Sequence, residues 1–477
     1  MPAAQPVLQQ GVTCWRTARA DRLAVIVDAA AYFSALRDAM LQAKHSVIMI
    51  GWEFDTRISL DPRRSDGNAP MRLGSFLSWL ARHRPDLKIN LLQWDTGLLG
   101  VLARGSTPLR LADWVMGRQI RLKLDHDHPP GGAHHQKIVV IDDALAFCGG
   151  IDATADRWDT PDHEDDSPFR VRPTSKRPYG PWHDATAAVD GEAARALGTL
   201  ARLRWEHATG ERLPTPPEVP RLWPEGLSPT MTNVEVGIAR TAPAHAGRDG
   251  IHEIEALYLA IVASARRSLY IESQYFASRK FAEAIAARLS EPDGPEIVVI
   301  NPEEAQGWLE EEAMGSARAR LLALVQEADT HGRFRLYTPV SLGGTPIYVH
   351  AKVLVMDDTL LRVGSSNLNN RSLGFDTECD LVVEARPDAA DDHELRFRIA
   401  GLRTALLAEH LGTDPSVVEG EMQANGGSLI AAIEHLRGSG RTLVPFEAPE
   451  FSALEDAVLR ENDLLDPERP ARRRWRW

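Results

Sequence analysis

The chain has few cysteines, only Cys14, Cys148 and Cys379 among its 477 residues. They stand singly, with neither the pairing of a disulfide framework nor the spacing of a metal knuckle, so reduced and buried thiols are expected. No uninterrupted apolar run reaches the roughly 18 to 20 residues that a membrane-spanning helix needs. The opening MPAAQPVLQQ lacks a basic region and the apolar stretch from Leu23 is broken by Asp28, so no Sec export signal is read there. A cytoplasmic or peripheral membrane protein is therefore expected, with export by another route left open. Basic charge is also short: 54 Lys and Arg against 67 Asp and Glu give a formal charge of -13. Phosphate backbones are held mainly by Lys and Arg, so nucleic acid is not an expected partner, although local basic clusters could outweigh the total.

What the chain does have is a repeat. His135 to Asp142 reads HQKIVVID, and His350 to Asp357 reads HAKVLVMD, each a His, any residue, Lys, four residues and Asp. After six intervening residues each copy meets a small-residue turn, Gly149-Gly150-Ile151-Asp152 and Gly364-Ser365-Ser366-Asn367. The duplication extends outwards. A helical pattern followed by a strand-like run occurs from Ala31 and again from Ile251, with Ser46 and Ser268 in matching places. Further strand pairs begin at Lys88 and Glu296, then at Asp184 and Cys379; the partners at Ser46 and Ser268, Lys88 and Glu296, and His135 and His350 stay 208 to 222 positions apart. Two copies of one α/β unit follow, each a mixed sheet covered by helices. Between them Pro214, Pro216, Pro217, Pro220, Pro224 and Pro229 exclude helix and central strand. The expected organisation is an N-terminal half at 1–210, a linker at 211–235, a C-terminal half at 236–412 and an extension at 413–477.

The recurrence suits phosphodiester chemistry, in which one group attacks phosphorus while another handles the departing oxygen. On a strand, His135 and Lys137 share a face, as do His350 and Lys352. Asp142 and Asp357 each open a polar Asp-Asp pair and read as structural turn residues.

These motifs and their duplicated context resemble the phospholipase D superfamily, from about Ser46 to about Glu384. Further matches are YIESQYF at Tyr270, the turns GGID and GSSN, PWHD at Pro181, which includes Trp182, and LRW at Leu203. The resemblance implies two halves packed about a pseudo-two-fold axis with both motifs in one central cleft. It implies His135 as the nucleophile that becomes a phosphohistidine and His350 as the acid and base. Lys137, Lys352 and Asn367 would hold the non-bridging oxygens, with Glu378 orienting His135 and Asp184 orienting His350. Asp152 stands where several members have Asn, which puts its contact with substrate in question. His134 and Trp182 are expected at the substrate. No cofactor and no metal are expected in this chemistry.

A cluster of His126, His128, His134, His135 and His163 near Asp125, Asp127 and Asp159 offers a competing zinc reading, against which stands its lack of a standard ligand spacing. The segment from Gly97 could receive acyl chains or form a buried helix and loop. The terminal PARRRWRW reads either as a frayed tail or as an interfacial anchor giving peripheral membrane contact. Three functions result: a phospholipid phosphodiesterase or phosphatidyltransferase, which includes cardiolipin-synthase-like transfer; a nuclease; and a silent lipid-binding scaffold. Two motifs in one chain favour the first, acting as a monomer on a phospholipid substrate.

Overall fold

A computed structural model describes residues 6–95, 119–304, 316–386 and 392–447. The segment from Gly97 and the Arg/Trp tail lie outside the described residues. The N-terminal half supplies β1 (Arg16–Val27), β2 (Ser46–Gly51), β3 (Lys88–Trp94), β4 (Ile120–Asp125), β5 (Ile138–Ile141), β6 (Leu145–Gly149), β7 (Trp182–His183) and β8 (Ala185–Asp190). The remainder supplies β9 (Met231–Ala242), β10 (Ile251–His252), β11 (Ser268–Glu272), β12 (Glu296–Ile300), β13 (Phe334–Val340), β14 (Tyr348–Val349), β15 (Val353–Met356), β16 (Leu360–Gly364), β17 (Glu378–Glu384) and β18 (Thr442–Pro445).

Among the described residues, sixteen of these strands form one mixed sheet, whose main path is β18-β13-β12-β11-β15-β16-β17-β9-β1-β8-β6-β5-β2-β3-β4. Apart from β18 the order is a palindrome under exchange of matching strands: β1 for β9, β2 for β11, β3 for β12, β5 for β15. Pairing direction is preserved as well. β2-β3-β4 and β11-β12-β13 run parallel, while β5 and β15 join them antiparallel. The axis passes between β1 and β9, which pair antiparallel from Arg16 opposite Ile238 to Leu23 opposite Met231. The two sheets expected from the repeat are thus one continuous sheet.

Alternation of side chains explains how both faces become covered. Ile48 and Ile50 of β2, with Val298 and Ile300 of β12, enter a core shared by both halves. It is roofed by the helices Gly191–Thr209 and His393–His410, and the fully buried Trp205 lies within it. Val47 and Met49 face the other way, into a core private to the first half, and Leu269 and Ile271 into its counterpart in the second. The helix Gly191–Thr209 stops at Gly210, whose φ of 73° supplies the left-handed cap that residues with a Cβ adopt reluctantly.

The proline-rich run is irregular up to Met231, where β9 begins inside the expected linker, because the alternating segment from Met231 can join a ladder and the prolines before it cannot. The expected extension is also part of the sheet. Its helices Pro415–Ala424 and Leu429–Leu436 pack on the shared core, and β18 closes the edge beside β13. Cys14, Cys148 and Cys379 are buried free thiols. Among the described residues, no helix is long and apolar enough to cross a membrane.

Candidate active site

Each His-x-Lys segment lies immediately before its strand, β5 or β15, rather than within the ladder. The reason is where their backbone hydrogen bonds go. His135 N donates to Thr377 O at 2.9 Å and His350 N donates to His183 O at 2.8 Å, so each segment is stitched to the opposite half. Side chains repeat the exchange. His135 Nδ1 lies 3.0 Å from both carboxylate oxygens of Glu378, and His350 Nδ1 lies 2.6 Å from Asp184 Oδ2. A carboxylate on Nδ1 fixes the tautomer and leaves Nε2 as the reactive nitrogen. Glu378 is itself held by the hydroxyls of Ser365 and Ser372 at 2.5 and 2.6 Å. The second glycine of the first turn serves Asp184, since a Cβ on Gly150 would collide with its Oδ1, while one on Gly149 would collide with Thr186.

The halves differ beside the lysines. In the second half Lys352 Nζ donates to His350 O and, at 3.3 Å, to Gln274 Oε1, which also accepts from Asn367 Nδ2 at 3.5 Å. In the first half Trp52 occupies the place matching Gln274, and its ring meets the His135 ring edge-on at 5.2 Å. Lys137 Nζ donates to His135 O at 2.9 Å and pairs with Asp152 Oδ2 at 3.3 Å, while Trp52 N donates to Asp152 Oδ1 at 3.1 Å. Asp152 is thus engaged by a cation and an amide, which answers how an acid persists there. It is not free to receive a phosphate oxygen.

Burial, then Lys137 and Lys352, pushes His135 well below the ordinary imidazole range. Burial, Lys352, Arg157 and Lys137 do the same to His350, on which the charge of His135 also acts. Burial raises Glu378 to about 7 and raises Asp184, and it lowers Lys352 to about 7. The cleft therefore holds both imidazoles toward the neutral form and a Lys352 whose charged form a nearby anion would favour.

Trp182 stacks on Tyr348 at 4.5 Å and lies 5.3 Å from the His350 ring, with the Arg157 guanidinium 4.3 Å over its ring. His134, expected at the substrate, is a correction: it is 2% exposed, its Nδ1 meets Thr377 Oγ1 at 2.8 Å and its Nε2 meets Arg204 at 3.0 Å. The buried Asp125–Arg204 pair draws it inward. The histidines of the competing zinc reading do not gather at one point: His126 and His128 turn to Asp95 while His163 and Asp159 enter a separate buried network. Asp142 accepts from the amides of Lys44, His45 and Ser46 at 2.6 to 2.8 Å, and Asp357 accepts from Arg266, Arg267 and Ser268 at 2.7 to 3.1 Å. Both tie strand to strand. Sequence reasoning missed Trp52, Gln274 and Arg157. The first two were within reach of it, because each lies six positions beyond its partner in the Ser46–Ser268 match.

The model of the family described as "Cardiolipin synthase, PLD-like domain" matches residues 258–398. Phospholipase D A of Dictyostelium discoideum is 25% identical over 82% of this chain and 36% of its own. Phospholipase D alpha 2 of Oryza sativa subsp. japonica is 25% identical over 79% of this chain and 63% of its own. Cardiolipin synthase of Geobacillus thermodenitrificans is 29% identical over 52% of this chain and 42% of its own. Phosphatidylserine synthase of Haemophilus influenzae shares the fold, with a TM-score of 0.54 at 12% identity, over 87% of this chain and 96% of that one. The chain spans between about a third and under two thirds of the length of the two phospholipases. Fold and site define a duplicated α/β architecture with a His-Lys segment from each half. Residues 258–398 match a PLD-like domain, and the chain is similar to phospholipase D and cardiolipin synthase proteins.

Proposed function

We propose that this chain cleaves the phosphodiester of a glycerophospholipid and passes the phosphatidyl group to water or to an alcohol through a phosphohistidine. The observation that carries the reading is the reciprocal exchange of carboxylates, His135 with Glu378 and His350 with Asp184, which presents one Nε2 from each half. His135 Nε2 attacks phosphorus and the bond to the headgroup oxygen breaks, with His350 supplying the proton that oxygen takes up. His350 then removes a proton from the incoming water or alcohol, whose oxygen displaces the histidine from phosphorus. Lys137, Lys352 and Asn367 steady the non-bridging oxygens, where donors aimed at developing charge contribute several kcal/mol. The substrate anion offsets the lysines that depress His350 and so favours its charged form.

The test is to supply phosphatidylcholine, phosphatidylglycerol and single-stranded DNA separately, with and without a primary alcohol, and to identify the phosphorus-containing products. Phosphatidic acid or a phosphatidyl alcohol supports the reading. Cardiolipin from phosphatidylglycerol would specify transfer, and nucleotide fragments alone would replace the lipid reading with that of a nuclease.

A further inference from the structure

Directly behind Asp184, four segments distant in sequence bring their polar groups together in the protein interior. They are Asp28 at the end of β1, His163 from a loop, His183 of β7 and Glu409 near the end of the helix His393–His410. One ligand atom from each lies within 4.8 Å of all the others. Individual separations are shorter. Glu409 Oε1 is 2.8 Å from His183 Nδ1 and 3.2 Å from His163 Nε2, and Asp28 oxygens are 3.6 Å from each of those nitrogens. A tetrahedron of bonds near 2.0 Å has edges of about 3.3 Å, close to the 2.8 to 3.6 Å that separate the carboxylate oxygens of Asp28 and Glu409 from the two imidazole nitrogens.

Two further observations point to an ion rather than to packing. Asp28 Oδ2 is fully buried and has no hydrogen-bond partner. Asp28 precedes a helix at the position where aspartate ordinarily caps the first turn, yet it makes no side-chain cap bond; with φ 63° and ψ 151° it turns its carboxylate into the cluster instead. Moreover, both imidazoles are already oriented from behind. His163 Nδ1 is 2.9 Å from Asp159, which Arg170 and the amide of Trp182 hold in turn, and His183 Nε2 is 2.9 Å from Glu272. Glu272 is saturated by His183, His410 and the Tyr270 hydroxyl, which leaves it as a supporting group rather than a ligand. A carboxylate on the far nitrogen of each ligating histidine is the arrangement that fixes tautomer and raises basicity in zinc centres.

We propose that Asp28, His163, His183 and Glu409 bind one zinc-class divalent ion in a closed, tetrahedral site that braces the rear of the catalytic cleft. Two carboxylates and two neutral imidazoles balance the charge of such an ion, and four protein ligands leave no open position for substrate, as in structural zinc sites. The brace acts on Asp184 and His350 through the backbone. Asp28 N donates to Asp184 O at 2.8 Å, Asp184 N donates to Asp28 Oδ1 at 3.2 Å, and His183 O receives His350 N. The alternative occupant of the same cluster is protons alone, with both histidines charged between acids, a state supported by the raised position of His163 at about 9 and by Arg441 4.0 Å from Glu409. The site does not depend on what the cleft cleaves.

The experiment uses the full chain purified without chelator, its zinc content measured, then the metal-stripped chain titrated with zinc and cobalt(II). One equivalent of bound metal, the intense visible bands of tetrahedral cobalt and a nitrogen–oxygen shell near 2.0 Å in X-ray absorption are expected. His163→Ala and Asp28→Asn should each lose the cobalt bands. His135→Ala, in the cleft, should keep them, which separates this site from the catalytic histidines. A wild-type chain that holds no zinc and gives no tetrahedral cobalt spectrum overturns the proposal and leaves the proton network. Bands that persist in a folded His163→Ala chain overturn it equally, and the wild-type measurement decides even if that variant fails to fold.

Discussion

His135 and His350 carry the same kind of carboxylate on the same ring nitrogen, so their different roles must come from their neighbours. Beside His135 stand an indole and the Lys137–Asp152 pair; beside His350 stand Lys352 with its amide partners and, over the Trp182 ring, Arg157. If His135 is the nucleophile, His135→Ala should reduce turnover on the order of a thousand-fold or more, and rapid acid or base quench of the parent should trap phosphate on His135. Label found only on His350 would exchange the assignments. The general acid must be charged to act, so the rate falls as pH rises through the pKa of His350. Arg157 is among the charges that hold this pKa down. Arg157→Gln should therefore raise it and carry the alkaline limb of the kcat/KM profile to higher pH, with the acid limb, set by deprotonation of His135, left in place. An unmoved alkaline limb in a pH–rate profile would remove Arg157 from the site. Both motifs were legible in the sequence because each is contiguous. Arg157 was not, since its placement depends on a loop folding over Trp182, which no local spacing reports.

At the scale of elements, the motif aspartates act on strands. Asp142 and Asp357 sit at φ 51° and 55°, a left-handed conformation that aspartate tolerates better than most residues, and each receives three amides at the start of β2 or β11. Of the six donors only Ser268 belongs to a buried residue, while Lys44, Arg266 and Arg267 are exposed. Asp357→Ala should cost about 1 to 3 kcal/mol of stability, because hydrogen bonds to a charged acceptor are strong and the buried Ser268 amide loses its partner. Asp357→Asn keeps an acceptor oxygen and should cost less. Urea denaturation of both variants, compared at equal m-value, checks the order; a neutral Asp357→Ala would mean that water replaces the carboxylate. The turn character of these residues could be read from the Asp-Asp pairs, whereas their grip on a strand some ninety residues away could not, since that contact exists only after β5 and β15 have paired with their neighbours.

For the whole molecule the decisive contact is β1 with β9, two twelve-residue strands that merge the sheets of the halves. The repeat was visible as recurring residues, but strand order was not, because periodicity reports which face a residue occupies and not which strand lies beside it. The same gap concealed the part played by residues 413–447, whose helices and β18 complete the second half's flank. A continuous sheet over a shared core has a consequence for folding. Separating the halves would expose β1 and β9 as long bare edges and strip apolar surface from the core that contains Ile48, Val298 and Trp205. The full chain should accordingly unfold in one transition, with tryptophan fluorescence and far-ultraviolet circular dichroism coincident. A fragment comprising 231–477 should self-associate through β9 rather than persist as a folded monomer, as read by sedimentation. Two separated transitions, or a monomeric fragment with native-like ellipticity, would show instead that each half reaches its structure unaided, and that the reciprocal carboxylates of the cleft assemble only when finished units dock.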